Sequence, residues 1–241
     1  MNRYLIPSLA IGTLVFSAGQ AQAAQVAIDD FETGFQTVQL GGKGMTSSST
    51  MNGLNQIIGG EREIELTVEE SEFGPNRGAS VDVQNSLLTV SNDAGIESET
   101  VITWDGPGKS GLNADLTGGG MNGVFSLDIV SVDLQALVTL AVTDSGGDTA
   151  SLSKAALSEG SAVFNFNTFN NAMDTDFSDV ESISLTVGGP QEVDFAADSL
   201  VTTVAPVPEP LTILGSGLAL GFGALFKTKY SRKHQKTQHK N

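Results

Sequence analysis

The chain has no cysteine, and residues 24–206 also lack histidine and tyrosine: His234, His239, Tyr4 and Tyr230 all lie outside that stretch. Each absence removes a class of chemistry. Without cysteine no disulfide staples the fold, so a chain of this size must be held by a hydrophobic core. Without histidine or cysteine, the stretch cannot hold a Ser-His-Asp triad, a cysteine nucleophile or a His-ligated zinc. Basic residues are equally scarce. Lys43, Arg62, Arg77, Lys109 and Lys154 are the five in 24–206, against 27 acidic residues, which leaves the stretch at −22. So acidic a body argues against nucleic acid as a partner, because phosphates demand Lys and Arg. It suits solubility outside the cell and divalent cations, or simply a solvated acidic surface.

Helical periodicity is also missing. Residues 152–157 would make one helical turn at most, and no repeat of roughly 20 to 50 residues marks a solenoid or propeller. What fills the body is period two. In Glu63-Ile64-Glu65-Leu66-Thr67-Val68-Glu69 the apolar residues share one face and the acidic ones and Thr67 share the other. That pattern predicts a half-buried strand. Similar alternations fall at 79–83, 86–91, 100–104, 123–132, 136–142, 162–166, 182–187, 193–195 and 199–204. Turn-forming clusters such as Gly74-Pro75-Asn76, Gly118-Gly119-Gly120 and Ser145-Gly146-Gly147 separate them. Many short strands without a repeat predict an all-β domain, an antiparallel sandwich or barrel.

The two ends differ from this body. Residues 1–23 carry Arg3, an apolar run over 5–16 and the small-residue site Ala21-Gln22-Ala23. This is the layout of a signal peptide cut by signal peptidase before Ala24, and the short apolar run argues against a first transmembrane helix. Residues 207–241 carry Val207-Pro208-Glu209-Pro210, an apolar run over 211–226 and a basic tail with Lys227, Lys229, Arg232, Lys233, Lys236 and Lys240. The prolines make a stiff extended spacer. The apolar run spans about 24 Å as a helix, enough to enter a bilayer if the flanking lysines snorkel. The basic residues favour the cytoplasmic side.

This C-terminal order resembles the PEP-CTERM sorting signal of exported bacterial proteins, read by the membrane enzyme exosortase. The resemblance covers 207–241 and implies that Pro208, Glu209 and Pro210 are the sorting and cleavage motif. It implies a membrane-anchored precursor that reaches the cell surface or extracellular matrix, with the body as exosortase's substrate and not a catalyst. One departure is that the basic residues are spread out, where such signals end on a tight Arg/Lys cluster. Ile58-Gly59-Gly60-Glu61-Arg62 and Thr103-Trp104-Asp105-Gly106 are similar to phrases in uncharacterised cyanobacterial proteins bearing this tail.

The body opens with Asp29-Asp30-Phe31-Glu32 and closes with Phe195-Ala196-Ala197-Asp198-Ser199-Leu200. This frame resembles jelly-roll, galactose-binding-like sandwiches, in which the first and last strands pair at one edge. The resemblance implies Asp30, Glu32 and Asp198 as candidate ligands of a structural Ca²⁺, an ion that accepts carboxylates and carbonyls without strict spacing; the alternative is that they face water. Asp174-x-Asp176-x-x-Asp179 lacks the glycine and terminal glutamate of a calcium loop, and with Asp144-Ser145-Gly146-Gly147-Asp148 it reads as a turn. Trp104 is a candidate sugar contact or a core tryptophan. Carboxylates suffice for glycoside hydrolysis, but at this acidic density chance pairs are inevitable and single out no catalytic residue. The expected role is structural or adhesive, linked to extracellular polysaccharide. The alternatives are a carbohydrate-binding module, with calcium as a candidate stabiliser, and a polysaccharide hydrolase.

Overall fold

A computed structural model describes residues 25–72, 77–155 and 158–205. The expected signal peptide with Ala21 and Ala23, the apolar segment 211–226 and the motif Pro208-Glu209-Pro210 lie outside the described residues. Thirteen strands are described: β1 (Val26–Asp29), β2 (Gln36–Gly41), β3 (Thr46–Asn52), β4 (Glu61–Ser71), β5 (Gly78–Gln84), β6 (Leu87–Asn92), β7 (Ile96–Trp104), β8 (Val124–Val132), β9 (Leu137–Asp144), β10 (Thr149–Ala155), β11 (Gly160–Asn165), β12 (Val180–Gly188) and β13 (Asp194–Thr203). They form two sheets in which every pairing is antiparallel, giving a jelly-roll sandwich. Sheet A runs β11-β8-β13-β6-β5-β2, with β1 added to β13, and sheet B runs β10-β9-β12-β7-β4-β3.

Alternation explains the layering. Ile64, Leu66 and Val68 of β4 are fully buried, as are Ile102 of β7, Val138 and Leu140 of β9, and Ile183 and Leu185 of β12. They meet Val81, Val83, Leu88, Leu127 and Leu200 from sheet A in one core. Each such side chain contributes about 1.5–3 kcal/mol by leaving water, which replaces the missing disulfides. One end of the core is aromatic: Phe166 stacks on Phe177 at 4.5 Å between centroids, and Phe125 and Phe169 pack around them.

The first and last strands do pair, Val26 opposite Thr202 and Ala27 opposite Val201. They do not close an edge, however. β13 is interior, paired along its length with β8, and its other side is shared by β6 over Asp194–Ala197 and by β1 further on. The alternations 193–195 and 199–204 are thus parts of one strand, broken by register shifts on either side of Ala197. Residues expected to make a helical turn instead begin in β10, whose hairpin partner is β9. Among the described residues no helix is long and apolar enough to cross a membrane.

Candidate functional site

Two of the phrases singled out in the sequence meet at one corner. A Cβ on Gly59 would lie 3.2 Å from the Gly106 Cα and 2.4 Å from a Leu112 methyl, so this approach of two chain segments requires glycine. Beneath it lies a buried polar network joining the sheets. The Arg62 guanidinium donates to Asp29 Oδ2 at 2.9 Å, to Gln36 Oε1 at 3.0 Å, and to the carbonyls of Thr33 and Gly34 at 3.2 and 2.8 Å. Asp29 Oδ2 also accepts from the Trp104 indole at 3.0 Å, and its Oδ1 accepts from the Phe31 amide at 2.8 Å. Both charged side chains are fully buried. Burial raises the Asp29 carboxyl above its ordinary 3.8, while Arg62 and the N–H donors pull it back down.

This network settles where Trp104 stands. Its side chain is 0% exposed, in phase with buried Ile102 and Thr100, and its only polar edge is spent on Asp29. It therefore has no face to offer a sugar, and the expectation of a ligand contact there is corrected to a core role. The calcium trio is not assembled either. Asp30 Oδ1 accepts from the Glu32 amide at 3.1 Å in a local turn, Glu32 and Asp198 are exposed, and the register shift beside Asp198 turns it out of the ladder. Among the described residues no three His, Cys, Asp or Glu side chains converge on a position that would hold a metal ion.

The acidic turns behave as read. Asp144 Oδ1 accepts from the amides of Gly146 and Asp148, each at 2.9 Å, and its Oδ2 accepts from the Asp176 amide at 2.8 Å. Asp176 in turn accepts from the Ser178 amide and hydroxyl. These donors hold both carboxyls below the ordinary value. The carboxylates tie loops together through backbone N–H groups.

What the sequence reading missed is on the outward face of sheet A. An open cleft of about 460 Å³ is lined by Gln39, Leu40 and Gly41 of β2, by Gly78, Ala79 and Ser80 of β5, and by Ser91 of β6, with Arg77 and Asp93 at its rim. Register makes it: Gly41 sits opposite Gly78, so two adjacent positions carry no side chain. Gly78 cannot be otherwise, since a Cβ there would lie 2.3 Å from the Leu40 carbonyl oxygen. The same registers set two polar rows across the face, Gln39–Ser80–Ser91–Asp194 and Thr37–Asp82–Thr89–Ala196. Hydrogen bonds fix the rows: Thr37 donates to Asp82 at 2.7 Å, Ser91 to Asp194 at 2.6 Å, and the Gly78 amide to Asp93 at 2.9 Å. Arg77 donates to the Ala94 carbonyl at 2.8 Å. The surface is a shallow groove of hydroxyls, an amide, carboxylates and one guanidinium.

No protein-family model matches the chain, and no curated protein matches it. Among solved structures it is similar to a family 11 carbohydrate-binding module from Clostridium thermocellum in complex with a β-1,3-1,4-mixed-linked tetrasaccharide. The two share 14% identity over 77% of this chain and 98% of that one, at a TM-score of 0.38. It is also similar to the family 11 module of the cellulosomal cellulase Lic26A-Cel5E of Clostridium thermocellum, at 13% identity, 78% and 99% coverage and a TM-score of 0.37. An exo-β-agarase matches 77% of this chain at 14% identity and a TM-score of 0.37, but only 26% of its own length is covered. The likeness is one of all-β outline.

Proposed function

We propose that residues 24–206 form a non-catalytic carbohydrate-binding module of an exported, exosortase-sorted surface protein. The observation that carries the binding half of this reading is the cleft on sheet A. Its volume falls within the range of small-molecule sites, about 300–1,000 Å³. Its lining offers paired donors and acceptors, held on rigid strands, that match the hydroxyls of a sugar. The Ser, Thr, Gln and Asp side chains of the two rows are the groups that would hydrogen-bond a glycan laid across β2, β5, β6 and β13.

The sorting half rests on the Pro208-Glu209-Pro210 layout. β13 begins at Asp194, opposite Ser91 of the cleft, and ends at Thr203, from which the chain runs on toward Pro208. At about 3.3 Å per residue the strand's ten residues separate the two by about 30 Å. The cleft thus lies at the opposite end of β13 from the end that leads toward Pro208 in the sequence.

Affinity electrophoresis of the purified protein through gels containing soluble polysaccharides tests the binding. Retardation by at least one glycan, lost when Ser80 and Ser91 are both replaced by bulky leucine, is the expected result. Unretarded migration through a broad panel would end the reading. Intact-mass spectrometry of membrane and extracellular fractions tests the sorting. An extracellular form ending near 208–210 is expected, and a form that always retains 211–241 would leave a plain anchor instead.

A further inference from the structure

We infer that the ligand of this face is a neutral polysaccharide, with Phe35 as its aromatic contact; the inference rests on the glycan reading above. Phe35 is 67% exposed, while every other aromatic side chain among the described residues is buried. It stands one position before β2, out of phase with buried Gln36 and Val38 and in phase with exposed Thr37 and Gln39. The ring therefore continues the outward face, with the two polar rows beside it. An apolar ring edged by hydroxyl, amide and carboxylate groups suits a sugar, whose C–H face packs on the ring while its hydroxyls reach the polar side chains.

Charge selects among sugars. Asp82 and Asp194 belong to the rows and Asp93 to the cleft rim, and Arg77 is the one basic residue lining the cleft. The remaining cations of the body do not line the cleft. Arg62 is buried on Asp29, Lys43 lies 2.6 Å from Glu70, Lys109 lies 3.2 Å from Glu63, and Lys154 sits over the Phe164 ring. A uronate or sulfate chain would thus bring like charge against a body of −22. Repulsion of that kind is screened only beyond about 8 Å at physiological salt. Neutral sugar hydroxyls meet no such barrier, and as donors to carboxylates they make charge-assisted hydrogen bonds.

The test measures affinity of the purified protein for a soluble neutral β-glucan and galactan, a polyuronate and a sulfated galactan, each at low and at physiological salt. Neutral chains are expected to bind with little salt dependence, and the polyanions to bind more than tenfold weaker at low salt. Phe35→Ala should weaken neutral binding about tenfold, and Phe35→Tyr should retain it. Far-ultraviolet circular dichroism of each variant confirms that the sandwich is intact. Polyanions bound as tightly as neutral chains would overturn the charge selection while leaving glycan binding standing. Full affinity in Phe35→Ala would overturn the aromatic contact. No binding by any of the four would remove the glycan reading itself.

Discussion

The indole Nε1 of Trp104, on sheet B, donates a 3.0 Å hydrogen bond to Asp29 Oδ2, on sheet A, across the interior of the sandwich. The same oxygen takes Arg62, so the network is satisfied only while all three side chains are present. Losses at a satisfied buried network are unequal.

Trp104→Phe removes one neutral donor and leaves Asp29 with Arg62 and the Phe31 amide; the expected loss is about 1–3 kcal/mol. Arg62→Met leaves a buried carboxylate without its counter-charge, and the expected loss is about 3–5 kcal/mol. Urea unfolding followed by circular dichroism gives both values. A pH series separates charge from packing. Asp29 is raised by burial above 3.8 already, and removing Arg62 takes away its largest downward influence. A group raised in the folded state contributes stability that is full below its unfolded value and drains as pH rises through its folded value. The Arg62→Met deficit should therefore shrink as the pH is lowered toward 4. A deficit independent of pH would assign the loss to packing alone.

The opposite sign applies at the acidic turns. Asp144, Asp176 and Asp115 are lowered below 3.8 by the N–H and hydroxyl groups they accept from. Their stabilising effect is full above 3.8 and is lost as pH falls through their folded values. Asp144→Asn puts an NH₂ where one oxygen accepted, facing either the Asp176 amide or those of Gly146 and Asp148. The variant should melt lower than the parent at pH 7, with the gap closing below pH 4. A gap that persists at low pH would show that the carboxylate's charge is irrelevant to the turn.

How far these features were legible in the sequence depended on which residues face inward. The β4 alternation was plain because Ile64, Leu66 and Val68 are buried opposite acidic side chains. The same phase carried the signal for the network: Arg62 is two positions before Ile64, and Trp104 two after Ile102, so parity alone puts both inside. For Trp104 that parity agrees with the core reading; for Arg62 its charge works against it, since a charged side chain is rarely fully buried unless paired. β3 could not be seen, since Thr46 to Asn52 alternates only between exposed and half-buried residues on an edge. β10 was hidden for a related reason, with Ala150 its only fully buried residue. The cleft has no local signature, because it is made by the register of β2 on β5, between residues remote in the chain.

That register gives the last prediction. Gly78 lies where β5 starts, opposite Gly41, with the Leu40 carbonyl oxygen 2.3 Å from the place of its absent Cβ. Since the obstacle is backbone, Gly78→Ala cannot be relieved by a rotamer change; β2 must move away at its Gly41 end. Strain of this kind costs about 1–3 kcal/mol. Gly44, in the loop after β2, has open space around its absent Cβ, and its φ of +73° disfavours alanine by conformation alone, a penalty absent at Gly78. Gly44→Ala therefore serves as a control for backbone conformation without collision. Amide hydrogen exchange should show faster exchange at the Gly41 end of β2 in Gly78→Ala than in Gly44→Ala, with β7 and β12 unchanged in both. Glycan affinity should fall with it, since the moving strand carries Gln39. Equal protection of β2 in the two variants would mean that the closeness of Gly78 to Leu40 does not set the shape of the cleft.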